Sequence, residues 1–305
     1  MNLEQLRAFV EVSRHGHFTR AAESLRLAQP SLSRQISTLE QDLGSELFHR
    51  ARGHISLTAA GETLLPLAKR MLADADAVRR EMAELAGLRR GRVRLGATPS
   101  LCTSLVTEVI SAFHGAHPGI GIEIVERGSR GLDAELAEGA LDLALVTTST
   151  AVSGSLRRTA LLTEDLVVVS SASRPPLAAG ASLVLAELAE LPQIVFHRSY
   201  DLRATTEAAF QAAGLSPSVV LEGPEMDAVL RFVERGIGVA VVPAMVALGR
   251  PELRVTRLAE PRLTRTVSLA HRSDVTPTRA AAALSDAIVA TADRLAEEGV
   301  VVRAA

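Results

Sequence analysis

The hydrophobic pattern of this chain changes period once, near residue 91, and that change divides what it can fold into. Before it, apolar residues recur three and four apart, the spacing of amphipathic helices. After it, short runs of valine, leucine and isoleucine alternate with helical stretches, the pattern of layered α/β structure. With 305 residues the chain is long enough for two or three domains, taking about 150 residues per domain as a soft prior.

Leu3, Leu6, Phe9, Val10 and Ser13 fall at helical spacing, which predicts a helix over residues 3–14 that Gly16 ends. Residues 18–25 predict a short second helix with Phe18, Ala21, Ala22 and Leu25 inward. Pro30 then opens a third helix, where its missing N–H has no partner to lose. Leu32, Ile36, Leu39 and Leu43 form one apolar face of that helix. The opposite face carries Pro30, Arg34, Ser37, Thr38 and Gln41, with Ser33 on its flank, and Gly44 stops the helix. In residues 47–58, Phe48, Ile55 and Leu57 anchor a short loop or hairpin that exposes Arg50, Arg52 and His54, which reads as a wing.

Thr58 is placed to cap a long helix running to about Gly87. Within it Leu64, Ala68, Met71, Ala75, Val78, Met82 and Leu85 alternate four and three apart. Such a seam predicts a left-handed helix pair, hence a homodimer, because a lone helix would leave the stripe wet. A helix lying on its own chain's core is the other reading.

Beyond residue 91, strands are expected at 93–97, 121–125, 141–146, 166–170, 193–196, 218–222, 238–243 and 265–271. Helices are expected at 100–114, 130–138, 202–213, 225–235 and 278–298. Strands alternating with helices imply largely parallel sheets, and about 210 residues in this stretch suit two lobes better than one sheet.

A short amphipathic helix behind a tight turn, with small polar groups outward, is what a helix-turn-helix requires. Ser, Thr, Gln and Arg meet base edges without holding the backbones apart. Gln29 and Ser33 suit base edges, and Arg34 suits a phosphate or a guanine. Arg50 and Arg52 suit phosphates or a narrow minor groove. The same outline also serves as a structural corner with a solvated face, and the pattern alone leaves both open. Charge adds little. Residues 1–90 carry 13 Arg and Lys against 11 Asp and Glu, and residues 91–305 carry 20 against 24. DNA contact must therefore come from a few placed residues and not from a generally basic surface.

The first 65 residues closely resemble the LysR-type transcriptional regulators. The matching pieces are LEQLRAFVEVSRHGHFTRAAESLRLAQPSLSRQISTLEQDLGSELFHR and LTAAG. RLGATPS, HPGI, LDLALV and GIGVAVVP extend the resemblance more weakly over the whole chain. It implies an all-α winged helix-turn-helix domain (1–58), a long linker helix for dimerisation (59–88), and an α/β two-lobed effector domain similar to periplasmic solute-binding proteins (91–305). Lobe I would hold about 91–161 and 267–305, and lobe II about 162–266. The implied DNA-binding set is Thr19, Gln29, Pro30, Ser31, Ser33, Arg34, Ser37, Thr38, Arg50 and Arg52. One departure is that the family's wing commonly reads Arg-x-x-Arg. Here Arg50-Ala51-Arg52 displaces the second arginine, so Arg50 is the safer carry-over. Double-stranded operator DNA, a homotetramer of paired dimers and RNA polymerase are the partners such a regulator would have.

Ligands of two-lobed α/β domains sit in the cleft, at strand C-termini and helix N-termini. Thr98, Ser100, Cys102 and Thr103 follow one expected strand, Ser129 another and Thr147 a third, while His197, Tyr200 and Arg203 follow a strand of the second lobe. The resemblance places effector contacts at Ser100, Ser129, Thr147 and the loop around His197. That loop carries the only tyrosine and two arginines, which suits a carboxylate-bearing effector, aromatic or not. Hydroxyls at helix starts also serve as plain caps, and Cys102 as a small buried hydrophobe.

An enzyme is not expected. There is no P-loop, no G-x-S-x-G and no HExxH, and Gly236-Ile237-Gly238 lacks the rest of a dinucleotide fingerprint. One cysteine excludes an intrachain disulfide. No metal or cofactor is expected, since His15/His17 lie at a helix end near the DNA-reading module and His114/His117 lie three apart without a matching acid. A start without a signal-peptide pattern, and no run near the roughly 18 apolar residues of a membrane span, lead to the expectation of a cytoplasmic protein. A solute-binding protein without DNA function is the second rival, opposed by the residue 1–58 module.

Overall fold

The computed structural model describes residues 1–51, 54–85, 91–147, 155–177, 180, 182–198, 200–223, 225–299 and 301–304. The chain divides into two compact units, an N-terminal and a larger C-terminal one.

The N-terminal unit opens with α1 (Leu3–His15), α2 (Phe18–Ser24) and α3 (Gln29–Leu43). Asn2 caps α1 reciprocally, its side chain accepting from the Gln5 N–H at 2.9 Å while its own N–H donates to Gln5 Oε1 at 2.8 Å. Gly16 and Gly44 end α1 and α3 at φ 64° and 67°, a left-handed conformation that suits glycine. The turn between α2 and α3 instead places Arg26 at φ 55°. A hairpin of β1 (Phe48–Ala51) and β2 (His54–Leu57) follows, paired antiparallel with Phe48 opposite Leu57. Leu6, Phe9, Val12, Leu32, Ile36, Leu39 and Phe48 are buried together in one core. Phe48 holds the hairpin to it, with ring centroids 5.3 Å from Phe9 and 6.1 Å from Phe18.

The long helix α4 (Ala59–Leu85) begins where Thr58 Oγ1 accepts from the Gly61 N–H at 3.1 Å and donates to the Glu46 carbonyl at 2.7 Å. Gly61 is a close-approach glycine, since a Cβ there would stand 2.3 Å from the Leu47 carbonyl oxygen. The seam along α4 divides in two. Leu64 and Ala68 pack on the unit's own core, while Met71, Val78 and Met82 are 41%, 61% and 55% exposed. The helix end expected near Gly87 lies outside the described residues.

In the C-terminal unit, lobe I begins with β3 (Arg92–Ala97), α5 (Pro99–Cys102), α6 (Leu105–Ala116), β4 (Gly121–Glu126), α7 (Ser129–Ala137) and β5 (Leu143–Thr147). The long β6 (Leu156–Ser171) then carries the chain into lobe II. There follow β7 (Ser182–Leu183), α8 (Leu185–Glu190), β8 (Gln193–Phe196), α9 (Asp201–Ala212), β9 (Val219–Gly223), α10 (Met226–Glu234) and β10 (Ala240–Pro243). A 3-10 turn (Ala244–Ala247) and β11 (Leu253–Leu258) complete lobe II. Then β12 (Thr264–Arg272) returns to lobe I, where α11 (Arg279–Glu297) and β13 (Val302–Arg303) end the fold.

The sheet order is β4-β3-β5-β12-β6-β11-β7, with β10 and β13 also on β6, and β8 pairs β9. The sheets are mixed, not largely parallel as the alternation implied. The pairs β3–β4, β3–β5 and β8–β9 are parallel, but β12 runs antiparallel to both β5 and β6. The reason is geometric: one strand must leave lobe I and another must return. Leu161 and Leu162 of β6 lie in a core with Val93, Leu95, Val267 and Leu284, whereas Leu166–Val169 lie in a second core with Ile194, Phe196 and Val229. The crossing is therefore at residues 163–165. The helix expected at 100–114 is broken, because Ser104 at φ −131°, ψ −98° separates α5 from α6.

Candidate functional site

The molecule presents two candidate sites, each within one unit. The first is the outer face of α3. Burying Leu32, Ile36 and Leu39 turns Gln29, Pro30, Ser31, Arg34 and Thr38 to solvent, with Ser33 and Ser37 half-buried at the margins. Thr19, in the first turn of α2, is exposed too. Gln29 Nε2 donates to Ser33 Oγ at 2.9 Å, and Thr38 Oγ1 donates to the Arg34 carbonyl at 2.9 Å. Thr38 is thus partly engaged with its own helix, while Arg34 extends from an exposed position. Of the expected wing cations, Arg52 and the side chain of Arg50 lie outside the described residues.

The second site is a cavity of about 340 Å³ in the C-terminal unit, where the two lobes face each other, within the size range of small-molecule sites. Lobe I supplies Thr98 and Ser100 after β3, Glu126 at the end of β4 with Arg127 and Gly128 after it, and Thr147 at the end of β5. Lobe II supplies Tyr200, Asp201 and Leu202 at the start of α9, with Glu225 and Met226 at the start of α10. Arg265 enters from β12 at the crossing. The chemistry gathers at strand C-termini and helix N-termini because side chains leaving those ends converge on the cleft.

Hydrogen bonds tie the walls together. Ser129 Oγ and Thr147 Oγ1 are 3.1 Å apart, and Thr147 Oγ1 donates across the cleft to Asp201 Oδ2 at 3.4 Å. Arg265 Nη1 donates to Ser100 Oγ at 2.7 Å, and its Nε donates to Glu164 Oε1 at 2.8 Å. The Glu164 side chain is 0% exposed, and its second oxygen accepts from the Met245 N–H at 3.1 Å. Tyr200 stacks on Phe196 at 5.4 Å and donates to Glu225 Oε2 at 3.0 Å. Burial first, then the Glu225 hydrogen bond and the charges of Glu225 and Glu126, push its phenol well above the ordinary value. Thr98 is 6% exposed, and its Oγ1 has no hydrogen-bond partner among the described residues.

Of the expected effector residues, the structure brings Thr98, Ser100, Thr147 and Tyr200 to the cavity wall, with Ser129 bonded just behind Thr147. It does not bring four others. Thr103 Oγ1 turns back to carbonyls of its own helix. Cys102 is half-buried against the lobe I core. Its thiol is pushed up to about 12 by burial and then by the Glu126 carboxylate. Arg203 pairs with Glu207 at 2.6 Å and donates to the Phe196 carbonyl, away from the cavity. His197 is exposed and is not part of the wall. Sequence reasoning missed Glu126, Arg127, Glu225 and Arg265. The only signal available was their position at the ends of expected strands or helices.

Among the described residues no group of three or more His, Cys, Asp or Glu is arranged to hold a metal ion. No helix among them is long and apolar enough to cross a membrane.

Comparison with known proteins bears on both sites. The family profile described as "Bacterial regulatory helix-turn-helix protein, lysR family" matches residues 3–62, and "LysR substrate binding domain" matches residues 86–293. The chain is 32% identical to the HTH-type transcriptional regulator YybE of Bacillus subtilis, over 88% of this chain and 92% of that one. It is 33% identical to a probable nitrogen assimilation transcriptional activator of Synechococcus elongatus, over 88% of each. Its fold is similar to a full-length OxyR variant from Pseudomonas aeruginosa, with TM-score 0.71, 26% identity and 94% of each chain covered.

Proposed function

The chain belongs to the LysR-type transcriptional regulators, and from that premise we propose which of its residues read DNA, where its effector sits and how the two are coupled. As a member of that family it is a transcription regulator and not an enzyme, with a helix-turn-helix DNA-binding domain and a domain that binds a small-molecule effector.

The DNA-reading element is α3. Gln29, Ser33 and Ser37 face base edges in the major groove, with Pro30, Ser31 and Thr38 beside them, and Thr19 and Arg50 contact phosphates. Arg34 reaches a phosphate or a guanine, and Arg52 belongs to the same wing contact. The observation that carries this reading is the exposed, short-side-chain face of α3 standing opposite a fully buried Leu32–Ile36–Leu39 face. The half-bare stripe Met71, Val78 and Met82 on α4 supports a homodimer built by pairing two such helices, two of which assemble into a tetramer on DNA. RNA polymerase is a further partner.

The effector, a carboxylate-bearing molecule, occupies the cavity walled by Thr98, Ser100, Thr147 and Tyr200, beside Arg265. Because Thr147 of lobe I already bonds Asp201 of lobe II, a ligand there bears on both lobes at once. Its binding shifts their population toward closure, which changes dimer-of-dimers geometry and DNA bending.

A gel-shift titration of the full chain on the DNA upstream of its own gene tests the reading. Specific retention is expected, and Arg34→Ala is expected to weaken it by about 1–3 kcal/mol or to relax selection at one base pair. Wild-type affinity and selectivity in the variant would remove Arg34 from the interface.

A further inference from the structure

The cavity is not uniformly suited to an anion. Three carboxylates line it, Glu126, Asp201 and Glu225, against two guanidiniums, Arg127 and Arg265. One of those guanidiniums is already matched by the fully buried Glu164. Arg265 and Ser100 stand in the wall with Thr98, whose buried hydroxyl lacks a partner among the described residues. Beside them, Glu126 of lobe I stands opposite Ala97 in the β3–β4 pairing, next to Thr98. Glu225 comes from lobe II and accepts from the Tyr200 phenol at 3.0 Å, and the Glu126 charge acts on the same phenol. Two like charges brought together across a cleft oppose its closure. A cation placed between them removes that opposition, and the face of Tyr200 offers the same cation a π surface.

We infer that the effector carries a protonated amine as well as a carboxylate, an amino-acid-like zwitterion. Its amine lies between Glu126 and Glu225 against Tyr200, and its carboxylate lies toward Arg265 and Thr98. This rests on the cleft being the effector site. Glu225 acts as a selectivity residue, because it rejects a purely anionic ligand by repulsion as well as attracting the amine.

Calorimetric titration of the full-length chain tests this with matched triplets: each common L-amino acid, the same molecule lacking its amine, and the same molecule lacking its carboxylate. At least one amino acid is expected to bind, about tenfold or more tighter than its deaminated acid and its decarboxylated amine. Glu225→Gln is expected to remove most of that difference, and Glu225→Arg to reverse it in favour of the deaminated acid. Glu225 is exposed, so neither change threatens the fold, and the thermal unfolding midpoint of each variant checks that. Deaminated acids that bind as tightly as the amino acids, weakened by a wall change such as Tyr200→Ala, would overturn the zwitterion and leave the cleft reading standing. Ligand binding indifferent to Tyr200→Ala and to both Glu225 variants would overturn the cleft reading and this inference with it. No response to any triplet would overturn the zwitterion.

Discussion

Single residues around the cavity divide by whether a strand or helix end aims them inward. Thr98, Ser100 and Thr147 were visible in the sequence because hydroxyls directly after apolar strand runs fall at the cleft edge in any two-lobed α/β domain. Arg203 shows the limit of that argument. It is one turn from Glu207 on α9, and the ion pair at 2.6 Å draws it away from the cavity. Glu225 and Arg265 carried no pattern of their own. A charge beside an apolar run reads the same whether it faces water or a cleft. Cys102 gives the test at this scale. With its thiol raised to about 12 by burial and by Glu126, it stays protonated at neutral pH, and only the thiolate attacks. A disulfide reagent at pH 8 should therefore label the folded chain at least about a hundredfold more slowly than the urea-unfolded chain. Equal rates would show that Cys102 is open and ionisable.

Elements were legible where their apolar period was long. Helices α1, α3 and α11 and strands β8 and β12 fall within a residue or two of expectation. The first half of β6 was hidden because Arg157, Arg158 and Thr159 interrupt its apolar run, and β7 at two residues is too short to show a period. The junction of hairpin and long helix holds a constraint that the sequence showed only as the motif LTAAG. Gly61 packs its Cα against the Leu47 carbonyl while its N–H donates to the Thr58 cap. Gly61→Ala would force the Leu47–Thr58 backbone apart, at a cost of about 1–3 kcal/mol. The thermal unfolding midpoint of the N-terminal unit should move to lower temperature, and DNA retention should fall with it. An unchanged midpoint would mean that the junction yields freely.

At the scale of the whole effector unit, the two lobes share β6 and β12, and the carboxylate of Glu164 sits at the crossing with its charge satisfied by Arg265 and by the Met245 N–H. Removing one partner of a buried pair strands the other, typically at about 3–5 kcal/mol. Glu164→Gln should accordingly lower the unfolding midpoint of the effector unit in scanning calorimetry, with Arg265→Met on the same background recovering part of the loss. If Glu164→Gln is neutral, Arg265 finds compensation elsewhere in the cavity.

The crossing also places Thr163 opposite Thr266, their hydroxyl oxygens 3.3 Å apart. All of lobe II therefore hangs from lobe I by two adjacent threads, entering and leaving through one doorway. A segment whose ends meet in this way is exchangeable as a cassette: a foreign lobe with the same two-strand stem could be spliced in at 163 and 266 without lengthening any loop. Ligand preference in such a scaffold can change by replacing half of the cleft in one exchange, while the strands of lobe I stay as they are.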